Sequence, residues 1–164
     1  MLGFYLPAFT KTTKRRVIQS PKFYYFDVAI PNHLLRRTPL KPGTDVYGHA
    51  LEHLIIQELR AYLSYYYGED KKLSYWHTLD NKYEVDAIIG DAEVAVEIKS
   101  SKNISNSDTK GLKAFGDEHP EARLILLSLE ENPRKCNNIE IWPVCDFLQR
   151  LWANKITRQI KTPI

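Results

Sequence analysis

The run Ala92-Glu93-Val94-Ala95-Val96-Glu97-Ile98-Lys99 reads as a β-strand that ends with a carboxylate and an amine two residues apart. Strand side chains alternate between faces, so Ala95, Glu97 and Lys99 share one face, and Val94, Val96 and Ile98 the other. Lys82–Ile89 reads as the strand before it, joined through the two-residue turn Gly90-Asp91. There Tyr83, Val85, Ala87 and Ile89 are expected on one face, with Glu84, Asp86 and Ile88 on the other. Asp86 has apolar neighbours on both sides, and the hairpin carries it towards Glu97. Two close carboxylates repel and need a compensating charge. Lys99 supplies one, and a divalent cation would supply more. Mg²⁺ (or Mn²⁺) held by one or two carboxylates beside an ammonium group is an arrangement suited to phosphodiester hydrolysis. For Glu97 and Lys99 taken without Asp86, a surface ion pair is the plainer reading.

Glu52 adds a fourth candidate. On a helix it shares a face with Ile55, Ile56 and Leu59, where an acid needs a partner or an exit to solvent. The alternatives are an acid at the edge of the stripe and a carboxylate aimed at the same metal site. His49 and His53 have metal-ligand spacing, but no zinc motif surrounds them, and with His77 they read as ordinary polar histidines. No Gly-x-x-x-x-Gly-Lys-Ser/Thr occurs, which excludes a P-loop ATPase.

These residues need a scaffold, and the pattern supplies one. Residues 1–43 form a front section with short aromatic strands at Phe4–Phe9 and Lys22–Val28, broken by Pro7, Pro21, Pro31, Pro39 and Pro42. That proline density argues against long helices. Residues 44–130 form the core. A helix over Val46–Tyr67, capped by Thr44 or Asp45 and ended by Gly68, carries Leu51, Leu54, Ile55, Glu58, Leu59 and Tyr62 at helical spacing. Strands over Leu73–Leu79, Lys82–Ile89 and Ala92–Lys99 follow. A helix over Ser107–His119 opens on Ser105 and Asp108, which resemble a capping box. Ala122–Leu129 is apolar enough to be a strand buried on both faces. Residues 131–164 add a short strand, Ile139–Trp142, an amphipathic helix from Pro143, and a tail; Val144, Phe147, Leu148, Leu151 and Trp152 mark that helix's apolar stripe. The fold class is α/β, an αβββαβ core with a mixed central sheet flanked by helices, a β-rich N-terminal extension and a C-terminal amphipathic helix.

Composition sets the outer limits. The chain has 164 residues, enough for one domain with a real core, and is 43% hydrophobic and 26% charged. No run reaches the ~18 apolar residues of a membrane span, and no signal peptide is visible. The expectation is a cytoplasmic protein without a membrane partner. Cys136 and Cys145 read as ordinary thiols. The net charge of +3 is compatible with a nucleic-acid partner. Lys11, Lys14, Arg15 and Arg16 form one basic cluster, and Arg36, Arg37 and Lys41 another. Each is either a solvated loop or a contact for phosphates.

Glu52, then Asp86, then Glu97-Ile98-Lys99, on helix–strand–strand–strand–helix–strand, resembles the PD-(D/E)XK nuclease superfamily, whose fold is the restriction-endonuclease-like core. The stretches SPKFYYFDVAI (20–30), GHALEHLIIQEL (48–59), YEVDAII (83–89) and VEIKSSK (96–102) look like the nuclease-like domain that follows the ATPase module in a group of prokaryotic AAA-type ATPases. The resemblance covers about residues 4–150. It implies a Mg²⁺- or Mn²⁺-dependent nuclease acting on DNA, with Asp86, Glu97 and Glu52 as metal-binding acids and Lys99 as catalytic lysine. Ser100 and Lys102, just past the motif, would touch substrate, as would Arg36 and Arg37 of the basic loop. Members of that group carry the ATPase module and a helical DNA-binding segment ahead of this domain. Here Met1 falls where the nuclease-like part begins. The resemblance therefore implies a stand-alone derivative, a remnant, or a chain working with a separate AAA-type ATPase. The alternative function is a non-catalytic nucleic-acid-binding or ATPase-docking module that keeps the fold.

Overall fold

Thr44 ends an extended stretch, and its hydroxyl accepts the Tyr47 N–H at 3.3 Å, so a helix starts behind it. In the computed structural model, which describes residues 2–37 and 39–158, twelve elements follow in chain order: β1 (Gly3–Leu6), β2 (Lys22–Tyr25), α1 (Ala29–Leu34), α2 (Asp45–Tyr66), β3 (Leu73–His77), β4 (Glu84–Ile89), β5 (Val94–Ile98), α3 (Lys110–Gly116), β6 (Arg123–Ser128), β7 (Arg134–Cys136), β8 (Ile139–Pro143) and α4 (Val144–Trp152). Thr38 of the expected basic loop and residues 159–164 of the expected tail lie outside the described residues.

β3 to β8 form one six-stranded sheet in the order β3-β4-β5-β6-β8-β7. β5, β6 and β8 run parallel, and the remaining pairs are antiparallel, so the sheet is mixed. β1 and β2 form a separate antiparallel hairpin sheet. One face of the large sheet, with Ala87, Ile89, Val94, Val96 and Ile98, packs against α2, α4 and the hairpin. The opposite face, with Val85, Ile88, Ala95 and Leu126, packs against α3 and Phe9. The outer edge of β3 is covered by the front segment: the Phe9 N–H bonds the Tyr75 carbonyl at 2.6 Å, and the Ile18 N–H bonds that of His77 at 2.9 Å. An open strand edge is thereby occupied.

The core order αβββαβ is as the sequence predicts, and four details differ. Leu54, placed on the helical stripe, is exposed, while Ile56 and Leu63 are buried instead. α3 begins at Lys110, because Ser105 and Asp108 close on each other first (Oγ to Oδ2 at 2.6 Å) and form a turn ahead of it. The strand expected to run to Val28 stops at Tyr25, and the Asp27 carboxylate then accepts the Ala29 N–H at 2.7 Å to open α1. Pro31 fits there because the first turn of a helix has no use for its missing N–H. β7 was not expected; it pairs with β8 as an edge strand.

Gly111, in the first turn of α3, lies directly against β4. A Cβ there would collide with the Glu84 carbonyl oxygen and stand 3.5 Å from Glu97 Oε2. Gly111→Ala is therefore expected to lower unfolding free energy by about 1–3 kcal/mol, as overpacking does. A denaturant midpoint equal to the parent's would show that α3 can lift away from the sheet without cost.

Candidate functional site

β4 and β5 part company at the site. Their ladder ends at Ala87↔Val96. Beyond it the Asp86 carboxylate accepts the Ile98 N–H through Oδ2 at 2.7 Å, so a side chain replaces a backbone partner. β4 also bulges here: two steps of β3, Ser74 to Trp76, match three of β4, Ile88 to Val85. The bulge corrects the simple alternation read from the sequence. Val85 packs with Ile88 on the α3 side, while Ala87 and Ile89 keep the α2 side. Asp86 turns to the α2 side, where it lines an open cleft of about 1130 Å³.

Lys22, Phe23, Tyr24, Gly48, His49, Glu52, Glu84, Lys99, Ser100 and Lys102 line the same cleft. Thus Glu52, Asp86, Lys99, Ser100 and Lys102, each singled out in the sequence, meet there. Glu97 does not line it. Glu97 lies behind Lys99 at 6% exposure, its Oε1 is 2.6 Å from the Lys99 ammonium, and its Oε2 is buried without a partner. Arg36 and Arg37 follow α1 on an exposed turn and are not among the lining residues. His53 is occupied elsewhere, with Nε2 2.6 Å from the Tyr25 carbonyl. His49 Nδ1 is 4.0 Å from Glu52.

The sequence did not single out β2's contribution. The Tyr24 hydroxyl donates to Glu52 Oε1 at 2.6 Å. Lys22 reaches Glu84 at 2.5 Å and Glu52 at 3.7 Å. The available signal was alternation: Lys22 and Tyr24 share a strand face, as do Glu84 and Asp86 before the bulge.

Burial dominates the electrostatics. It raises the Asp86 carboxyl well above its ordinary range, and the Glu97 and Glu52 charges raise it further. Burial also pushes Glu97 up to about 7, against the pull of Lys99. For Lys99, burial acts to lower the pKa, yet Glu97 outweighs it and the group stays above its ordinary value, as an ammonium. Lys22 behaves alike between Glu52 and Glu84. Burial and Glu52 raise the Tyr24 hydroxyl, which keeps its proton to donate.

Among the described residues no group of three or more His, Cys, Asp or Glu is arranged to hold a metal ion. Mg²⁺ asks for less, since one or two carboxylates with water and phosphate suffice. Of the two acids, Asp86 lines the cleft and is raised by burial and by the Glu97 charge, while Glu97 lies behind Lys99 with Oε2 buried and without a partner.

A pH dependence follows for the metal-free protein. Glu97 has a folded pKa of about 7 against an ordinary value of 4.5, so between these values the folded state holds more protons than the unfolded one. Stability contributed here falls as pH rises through that window. In chelator, Tm is expected to be higher near the lower end of the window than above it, and Glu97→Gln should flatten the trend. An unchanged slope in that variant would assign it to another group.

No helix among the described residues is long and apolar enough to cross a membrane. No curated protein and no solved structure matches the chain. A family model, Domain of unknown function (DUF4143), matches residues 47–147, from α2 into α4, and includes Glu52, Asp86, Glu97 and Lys99. The chain belongs to this DUF4143 family, a domain associated with AAA-ATPase-containing proteins.

Proposed function

We propose that this protein hydrolyses phosphodiester bonds of DNA at a PD-(D/E)XK-type site formed by Asp86, Glu97 and Lys99. The observation that carries the reading is the buried Asp86 carboxylate, raised by burial and by the Glu97 charge, on the same open cleft as the Lys99 ammonium that Glu97 holds. Asp86 and Glu97 are the residues that would hold Mg²⁺ or Mn²⁺, whose chemistry is to lower the pKa of bound water and offset charge on the phosphate. Lys99 stays above its ordinary pKa beside Glu97, so its role is electrostatic: it faces the negative charge that builds on the phosphoryl oxygens. Ser100 and Lys102 border Lys99 on the cleft wall and supply a hydroxyl and a cation for flanking phosphates. Glu52 orders the opposite wall through Tyr24 and Lys22. Association of the family with AAA-ATPase-containing proteins supports a separate ATPase as partner.

One observation favours a second reading. Glu52 is tied to Tyr24 and Lys22, and Lys99 to Glu97, so the site neutralises much of its own charge. A non-catalytic nucleic-acid-binding or ATPase-docking module would keep that arrangement.

Incubation with plasmid, single-stranded and duplex DNA in Mg²⁺ or Mn²⁺ separates the two. The expected result is cleavage that falls about a hundredfold or more in Glu97→Ala and in Lys99→Ala. Cleavage that survives both substitutions would remove the site assignment. Alongside it, Mn²⁺ should raise Tm, because a ligand of the folded state stabilises it, and Asp86→Ala should abolish the rise.

A further inference from the structure

The hairpin sheet β1–β2 has two faces of unequal kind. Leu6 and Tyr24 turn inward and are buried against α2. The outward face is aromatic, where a solvent-facing strand surface is ordinarily polar. Tyr5 is 69% exposed and Phe23 47%. Their rings meet edge to face at 5.4 Å, and Phe23 meets Tyr25 the same way at 5.2 Å. Phe23 also lies over Gly3: a Cβ on that glycine would stand 2.5 Å from the ring's Cζ. Phe23 is therefore seated on the backbone of β1, with Tyr5 and Tyr25 meeting it edge to face. Phe23 belongs to both surfaces, since it also lines the cleft that holds Asp86 and Lys99.

We propose that the Tyr5–Phe23–Tyr25 face is a base-stacking platform that leads single-stranded nucleic acid into the cleft. The inference rests on the nucleic-acid reading above and names the strand form. Flat rings fixed beside a groove with cationic side chains are how proteins hold a single strand without regard to sequence. Here Lys22, Lys99 and Lys102 line the groove beside the acids Asp45, Glu52, Glu84 and Asp86; Lys102, which forms no ion pair among the described residues, is the cation open to a phosphate, and the platform is continuous with the groove through Phe23. A duplex keeps its base faces stacked on one another and cannot offer them to these rings, whereas an unpaired strand can.

The test is anisotropy of labelled strands in chelator, where no cleavage competes with binding. The probes are a short oligo(dT), an abasic strand with the same number of phosphates, and a duplex of the same length. The wild type is expected to bind oligo(dT) about tenfold more tightly than the abasic strand. Phe23→Ala and Tyr5→Ala should each lose most of that margin, Tyr5→Ala should leave abasic and duplex binding unchanged, and Phe23→Trp should keep the margin. Because Phe23 covers Gly3, Tyr5→Ala carries the test if Phe23→Ala does not fold. Equal affinity for oligo(dT) and the abasic strand, or wild-type binding in Tyr5→Ala, overturns the platform. So does failure to bind any strand together with self-association, seen by sedimentation, that Tyr5→Ala abolishes; the face would then be a protein contact. Base-dependent binding without cleavage in Mg²⁺ or Mn²⁺ supports the platform and overturns the hydrolytic reading. Cleavage without base dependence does the reverse.

Discussion

The Asp86 carboxylate takes the place of a strand's backbone at the Ile98 N–H, and the rest of the site depends on that substitution. A buried N–H must find an acceptor. Had β4 continued its ladder, a carbonyl would have served, and β4 and β5 would have stayed closed over the position where the cleft now lies. With a carboxylate as acceptor, the strands separate after Ala87 and Val96. The bulge in β4 then turns Asp86 to the side of α2 and Glu52. One hydrogen bond thus satisfies the sheet and holds an acid at the mouth of the gap.

The charges gathered there do not balance. Asp45, Glu52, Glu84 and Asp86 line the cleft with Glu97 behind them, against Lys22, Lys99 and Lys102, so five carboxylates face three ammonium groups. Burial resists the imbalance by raising Asp86 and Glu97. A phosphate at the Asp86 floor is repelled unless a cation comes with it or precedes it, whereas Lys102 on the cleft wall can hold one without a metal. This distinguishes the site from a plain anion-binding cleft, in which lysines would outnumber acids. It also explains why Lys99 alone cannot serve as the receptor for phosphate: its nearest partner is already Glu97 at 2.6 Å.

Much of this arrangement was legible in the sequence because period and chemistry agree locally. The face of β5 was read correctly: Ala95 packs on the α3 side, Glu97 Oε2 faces Gly111, and Val94, Val96 and Ile98 pack towards α2. The Thr44 cap and the positive φ of Gly68 mark the ends of α2 as expected. The bulge was not legible, because strict alternation is an assumption about one strand and a bulge is a property of two. Nor was the partnership of Tyr24 with Glu52 or of Lys22 with Glu84. Each joins residues distant in sequence, and only the seating of the hairpin on α2 brings them together.

That seating explains how a front section outside the family match at 47–147 can still shape the site. A two-stranded hairpin is marginal in water by itself. Here α2 holds it at several points. Arg60 stacks over Phe4 at 4.4 Å, and Phe4 stacks on Tyr24 at 5.7 Å. His53 and Gln57 both bond the Tyr25 carbonyl, at 2.6 and 2.7 Å. These contacts come from the same helix that carries Glu52: His53 is next to it, and Gln57 and Arg60 lie about one and two turns further along. Glu52, His53, Gln57 and Arg60 therefore act as a single rigid ruler: the helix that positions the acid also positions Tyr24, which donates to it, and Lys22, which offsets its charge. The inward face of the hairpin is fixed by the needs of the site, and its outward rings are fixed with it.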